Sequence, residues 1–231
     1  MILAAGRGER MRPLTDTVPK PLLQAGGKAL IEYHLEKLAS AGFSEIVINH
    51  AYLGKKIERA LGNGENYGLN IRYSHEPVVL ETAGGIANAL PLLVNPSHHL
   101  PFLVINADIY CEIDFSLMLP ILQKMQTDAA NYCAHLVLVE NPEHHPAGDF
   151  SLCANQVRSN GIKKLTFSGI GAYQPGLFAR VKKDTATKLA PILRQAIDAG
   201  KVNGEYFGGT WMDIGTPERL HLLNQRLEQK I

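Results

Sequence analysis

The chain is short of several things, and each shortage removes a class of explanation. It holds three cysteines in 231 residues. Cys111, Cys133 and Cys153 are odd in number and lack C-x-x-C spacing, so neither a disulfide framework nor a cysteine zinc site is expected. Small buried hydrophobes in a reducing compartment suit them better. Net charge is nearly absent: 23 basic and 22 acidic residues leave a formal +1, so bulk electrostatics draws the chain to neither nucleic acid nor membrane. No apolar run approaches the roughly 20 residues of a membrane span, and no leader peptide is expected before the first strand. No hexapeptide repeat occurs, so residues 1–231 are expected to form one domain without a C-terminal β-helix. From these absences a soluble cytoplasmic protein is expected.

What the chain does contain is strand and helix in alternation. Apolar runs at 2–5, 45–49, 69–74, 102–106, 135–140, 165–170 and 202–207 read as strands. Between them, helical spacing appears at 30–41, 53–61, 115–126, 188–199 and 217–226. Alternation of this kind predicts an α/β fold, with a mixed, mainly parallel sheet flanked by helices and right-handed crossovers. Ligands of such sheets collect beyond the carboxyl ends of the strands. With Met1 one residue ahead of Ile2, either the first strand is unusually short or natural residues precede it.

The basic charge is concentrated at the start. Ile2-Leu3-Ala4-Ala5 breaks at Gly6-Arg7-Gly8, where two glycines let backbone N–H groups approach a ligand closely. Arg7, Arg10, Arg12 and Lys20 follow within one loop that Pro13, Pro19 and Pro21 stiffen. Four cations around exposed amides suit a polyanion such as a triphosphate. A dinucleotide fingerprint is excluded, because Met11 stands at its third glycine position. A Walker A loop is excluded by the missing Gly-Lys-Ser/Thr.

Two carboxylates stand where strands end. Asp108 follows Phe102-Leu-Val-Ile-Asn106-Ala107, and Asp213 closes Trp211-Met-Asp. Both are hard oxygen donors of the kind that Mg²⁺ takes, one or two at a time alongside substrate phosphates. Leu80-Glu-Thr-Ala-Gly-Gly85 falls at an expected helix start, where free N–H groups favour polar or anionic partners. Glu143-His144-His145 does not make a metal site, since adjacent side chains diverge, and His98-His99 reads as exposed loop.

Residues 6–22 resemble the G-x-G-x-R-[ML]-x-P-L-T…P-K-P-L signature of the sugar-1-phosphate nucleotidyltransferases. Further motifs, E-I-V-I-N-H at 45–50, L-E-T-x-G-G-I at 80–86, N-P-x-H-H at 141–145 and K-L-A-P at 188–191, are similar to the short members acting on N-acetylmuramate-1-phosphate with UTP in peptidoglycan recycling. Mannose-1-phosphate guanylyltransferases of the family are the alternative, and a catalytically inactive nucleotide-sugar sensor is a reading of another class. The resemblance implies a Rossmann-like nucleotidyltransferase domain. It pairs Asp108 with Asp213 as Mg²⁺ ligands, and gives Arg10 to the leaving pyrophosphate and Lys20 to the reacting phosphates. It assigns Ala5, Gly6, Gly8 and Arg12 to the nucleotide, and Ala83 and Gly84 to the base through their backbone groups. Asn106, Asn141, Gly148, Asp149, Ser168 and Gly169 would contact the sugar. Lys188 is the candidate partner of the lactyl carboxylate that distinguishes the muramyl sugar. Small-molecule substrates, and a monomer or weak dimer, are expected.

Overall fold

A computed structural model describes residues 1–94 and 99–229; His98 lies outside them, and His99 is exposed. In chain order the elements are β1 (Ile2–Leu3), β2 (Gln24–Ala25), β3 (Lys28–Ala29), α1 (Leu30–Ser40), β4 (Glu45–His50), α2 (Gly54–Leu61) and β5 (Asn70–His75). Then follow α3 (Glu81–Leu93), β6 (Phe102–Asn106), β7 (Ile109–Cys111), α4 (Met118–Thr127) and β8 (Ala134–Val139). The chain continues through β9 (Ser151–Cys153), β10 (Gln156–Arg158), β11 (Thr166–Tyr173), α5 (Leu189–Asp198), β12 (Val202–Tyr206), β13 (Trp211–Asp213) and α6 (Pro217–Glu228). Each major strand and helix expected from periodicity is present, with bounds shifted by a few residues. The short β7 was not expected.

The contacts divide into two compact units, each built from separate stretches of chain. The first comprises Met1–Val79, Asn106–Ser116 and Thr210–Ile231. In it β1 pairs with β4, and β4 with β5, all parallel. Parallel strands need crossover helices, and α1 and α2 supply them. Met11, Leu23, Ala25, Leu30, Tyr110, Ile214, Leu220 and Leu223 form one buried cluster of this unit. Met11 therefore occupies its position for packing: it ties the basic loop to the core, where a glycine would leave a cavity.

The second unit comprises Leu80–Ile105 and Leu117–Gly209. Its strands are mixed. β11 is antiparallel to β6 and β8, β12 is parallel to β8, and β10 is antiparallel to both β12 and β9. β9 and β10 form a hairpin. The β8–β11 register shifts between Phe167 and Gly171, a bulge that Gly169 permits with φ 82. Cys111 is buried as expected, whereas Cys133 is half-buried and Cys153 exposed on the hairpin edge.

One close approach in the first unit is testable. β4 ends at the buried His50, and α2 starts four residues later at Gly54. A Cβ on Gly54 would lie 1.9 Å from His50 Nδ1. Gly54→Ala should therefore destabilise by about 1–3 kcal/mol through overpacking. In a chain of this length that lowers Tm by about 2–4 °C per kcal/mol. Thermal denaturation checks it, and an unchanged Tm would mean the imidazole has room to turn away.

Candidate active site

The site begins with a short ribbon. β7 and β13 are antiparallel, with Ile109 opposite Asp213, Tyr110 opposite Met212 and Cys111 opposite Trp211. The Ile214 N–H then donates to Asp108 O at 2.8 Å. The register thus sets two aspartates, far apart in sequence, at the same end of one ribbon. Three further contacts fix that end. Ala107 N–H donates to Leu3 O at 3.0 Å. His34 Nε2 lies 2.8 Å from Ile109 O, and Lys37 Nζ donates to Cys111 O.

The basic loop is pinned as firmly. Gly8 has φ 69, a left-handed conformation that suits glycine. Its carbonyl accepts from Thr15 Oγ1 at 2.8 Å, and Thr15 is buried. Tyr52 OH donates to Asp16 O at 3.0 Å, and Lys56 Nζ to Thr17 O at 2.5 Å, so the start of α2 clamps the far side of the loop. The four cations are then divided. Arg12 Nε donates to Asp16 Oδ1 at 2.6 Å on the exposed side, which also raises its pKa through that bond. Arg7 lies over the Tyr52 ring and 3.6 Å from Glu9. Lys20 alone is buried, and its Nζ sits 2.5 Å from Asp108 Oδ2.

Gly6, Gly8, Glu9, Arg10, Lys20, Asp108 and Gly215 line one cleft of about 250 Å³. Nothing lies within 4 Å of where a Gly6 Cβ would stand, so the backbone there faces open space. At Gly215 a Cβ would lie 3.1 Å from Arg10 Nη2, 2.5 Å from Arg219 Nη2 and 3.1 Å from Asp213 Oδ2. Three charged side chains therefore converge over the bare α-carbon of Gly215. Arg219 Nη1 donates to Asp213 Oδ1 and Oδ2 at 2.6 and 2.5 Å. Both aspartates are held by cations, Asp108 by Lys20 and Asp213 by Arg219. Their carboxylates keep 41% and 26% of their surface exposed, which leaves oxygens for a ligand.

The residues expected to act on base and sugar in the second unit sort differently. Ala83 and Gly84 are buried, and both N–H groups already donate to Thr187 O at 2.9 and 3.1 Å. The amide route to a base is thus closed at these two positions. Gly84 is small because the Thr185 carbonyl packs 2.4 Å from where its Cβ would be. Asn141, Gly148 and Asp149 do come together. Asn141 accepts from Thr166 Oγ1 and donates to Pro146 O and Lys164 O, and a Cβ on Gly148 would stand 2.7 Å from Asn141 Oδ1. Asp149 Oδ2 accepts from Phe167 N–H at 2.8 Å, and its Oδ1 lies 3.1 Å from His145 Nε2. Ser168 turns its buried hydroxyl to Val137 O at 2.7 Å, beneath the bulge at Gly169. Asn106 is half-buried at the end of β6, Ala5 is buried, and Lys188 is exposed at the N-cap of α5.

The family model described as Nucleotidyl transferase matches residues 1–148. The chain belongs to the nucleotidyl transferase family. It is 54% identical to the N-acetylmuramate alpha-1-phosphate uridylyltransferase of Neisseria meningitidis serogroup B, over 95% of this chain and 94% of that protein. It is 28% identical to the mannose-1-phosphate guanylyltransferase catalytic subunit beta of Danio rerio, over 94% of this chain but 61% of that protein. The fold is also that of a UDP-glucose pyrophosphorylase solved with UDP-glucose, with TM-score 0.75 at 19% identity over 100% and 98% of the two chains.

Within this nucleotidyltransferase, sequence reasoning missed two members of the site. Arg219 sits in the first turn of α6, where its N–H bonds the N-cap Thr216, and it carries no motif that would single it out. Its spacing of six from Asp213 across a strand end was the available signal. His34 lies in the helical stretch read at 30–41 and was given no role there. Its Nδ1 is buried without a partner, and Nε2–H faces Ile109 O, so the ring is neutral. Burial pushes its pKa down to about 4.

That shift has a direction in solution. The unfolded chain takes up this proton below pH 6.5, the folded nucleotidyltransferase only below about 4. Stability from the neutral ring is complete above pH 6.5 and is lost as pH falls towards 4, by at most about 3 kcal/mol. Denaturant unfolding at about pH 7 and about pH 4.5 should show this loss in the wild type and a smaller one in His34→Gln. Equal losses in both would place the acid sensitivity elsewhere.

Proposed function

We propose that the chain transfers the uridylyl group of UTP to a sugar-1-phosphate, with N-acetylmuramate-1-phosphate as the sugar substrate, and releases pyrophosphate. The observation that carries this reading is the convergence of Arg10, Lys20, Asp108 and Gly215 on one cleft beside Asp213. The near end-to-end relation to the Neisseria enzyme supports the choice of substrates. In the reaction an oxygen of the sugar phosphate forms a bond to the α-phosphorus of UTP, and the α–β bridging bond breaks. No protein nucleophile is required. Cys111, the thiol nearest the site in sequence, is buried with its pKa pushed up to about 11 and is unsuited to that role.

The chain's task is then to position and neutralise phosphate oxygens. Lys20, buried and fixed in place, offers a preorganised cation to the α-phosphate or the incoming sugar phosphate. Arg10 faces the cleft from the next turn and suits the departing pyrophosphate. The open backbone at Gly6 admits the triphosphate. Asp108 and Asp213 fit a magnesium ion: both are hard carboxylates, partly exposed and set side by side by the ribbon. Two carboxylates with substrate phosphates make a sufficient ligand set. Bound there, Mg²⁺ would supply charge neutralisation between the reacting phosphates. Lys20 and Arg219 offset the two carboxylate charges from the protein side. Asn141, Gly148, Asp149 and Gly169 are assigned to the sugar, and Lys188 to its lactyl carboxylate.

Pyrophosphate release, measured for four nucleoside triphosphates against several sugar-1-phosphates, tests the assignment. UTP with the muramyl sugar should be the best pair. GTP with mannose-1-phosphate as the best pair would establish the guanylyl alternative, and release from no pair would leave a nucleotide-sugar sensor.

Two sets of variants refine it. Lys20→Ala and Arg10→Ala should each cost about 2.7–4 kcal/mol in kcat/KM, the range for removing one preorganised donor. Arg7→Ala and Arg12→Ala should cost much less, because Glu9 and Tyr52 hold the first and Asp16 the second. Equal losses at all four positions would make the loop an undifferentiated basic surface. Lys188→Ala should lower kcat/KM for the muramyl sugar by about 2–5 kcal/mol relative to N-acetylglucosamine-1-phosphate, as truncating one partner of a charge pair does. An unchanged ratio removes that lysine from the sugar site.

A further inference from the structure

β1 ends at Leu3, yet the next residue keeps a hydrogen bond of the sheet kind. Leu3 stands opposite Asn49 in the β1–β4 ladder. The Ala4 N–H then donates to the side chain of Asn49, at 2.9 Å from Oδ1. Asn49 Nδ2 donates in turn to Glu76 Oε1 at 2.6 Å, and Glu76 N–H to His50 O at 2.8 Å. Asn49 is 3% exposed and Glu76 1%. A buried carboxylate is costly unless its bonds are satisfied. This one does something an apolar side chain could not. A carboxylate only accepts, so it dictates which way the Asn49 amide faces. Nδ2 must point to Glu76, and Oδ1 is thereby aimed at Ala4. Ala4 opens Ala4-Ala5-Gly6-Arg7-Gly8, the backbone that enters the cleft.

We propose that Asn49 and Glu76 are positioning residues for the nucleoside triphosphate: Glu76 orients the Asn49 amide, and that amide suspends the backbone of residues 4–8 where it meets the phosphates. The proposal rests on the nucleotidyl-transfer reading above. The side-chain bond lets the strand leave the sheet at Ala4 without orphaning a buried N–H. It replaces a ladder partner that would have held residues 4–8 flat in the sheet. A merely structural role, stitching β1, β4 and the end of β5 together, would show in stability and would not distinguish one substrate from the other.

The test exchanges donor and acceptor. Asn49→Asp removes the donor and sets two buried carboxylates against each other. Adding Glu76→Gln rebuilds the chain in reverse, with the new amide donating to one aspartate oxygen while the other accepts from Ala4 N–H. The wild type is assayed first, with UTP and its sugar phosphate. Asn49→Asp should raise the KM for UTP about tenfold or more, the scale of one lost buried bond, and leave the KM for the sugar phosphate within about twofold. The double variant should bring the UTP value back to within about threefold of wild type. A fall in Tm with an unchanged UTP KM, an equal rise in both KM values, or a double variant no better than the single one would each overturn the proposal. Should Asn49→Asp not fold, Asn49→Ala leaves the same N–H without an acceptor and is read by the same two KM values. If the wild type turns over no UTP, the functional reading fails by itself. Equilibrium binding of each nucleoside triphosphate to the wild type and variants then decides the positioning role separately.

Discussion

Two carboxylates, Asp108 and Asp213, stand at one end of the β7–β13 ribbon, and like charges resist that. The β7–β13 register imposes the neighbourhood, and backbone bonds from Leu3 and Ile214 lock it. Cations then offset the repulsion: Lys20 on Asp108 and Arg219 on Asp213, with Arg10 reaching the same place over Gly215. Much of the first unit can be understood as the consequence. Lys20 must be buried to reach Asp108, which requires the loop to fold back on itself, and that fold needs the left-handed Gly8 capped by Thr15. Met11 and Ile214 drive the two arms of the site into one apolar cluster, so the charges are carried on a packed base. Gly215 is bare because three charged side chains need its space.

The division of the cations follows from the same balance of charge. A loop with four of them and no assigned partners would be a general anion trap. Here Asp16 takes Arg12, and Glu9 with the Tyr52 ring takes Arg7. Those surface pairs contribute little to stability. Their effect is selective: they leave Lys20 and Arg10 as the cations presented to the cleft. Glu9 itself lines that cleft as well as pairing with Arg7.

How legible was this in the sequence? The order of strands and helices was, because apolar periodicity and glycine stops are local signals, and α1, β4, α5 and α6 lie where those signals put them. The residues of the basic loop were legible as a set, since they crowd into one short stretch. How the four cations would be divided between partners was not, because that depends on Asp16 and Tyr52, whose partnership is tertiary. β7 was missed because three residues have no period to detect and only two residues separate it from the end of β6. The two-unit division carried no linker to announce it, since each unit is assembled from separate stretches and one boundary, between Ile105 and Asn106, falls inside β6. Cys153 was expected to be buried on composition alone, and its place on a hairpin edge is a matter of register that composition does not contain.

The segment expected to read the base shows most clearly where local inference ends. Glycines at a helix start are a sound sign of exposed amides, yet at α3 the amides of Ala83 and Gly84 are spent on the Thr187 carbonyl. Gly84 serves a contact between two segments of the chain, and it is small so that Thr185 can lie against the helix. What the segment does leave outside that clamp is its first residue, Glu81, whose φ of 59 is left-handed. That conformation favours glycine, and a glutamate held in it costs of order 1–3 kcal/mol. The surroundings over-determine it: Leu80 O accepts from Thr187 N–H on one side, and the Ala83 and Gly84 amides hold Thr187 O on the other. The strain at Glu81 and the occupied amides are thus two ends of one clamp, in which the 185–187 segment dictates how α3 begins and which of its residues is turned outward.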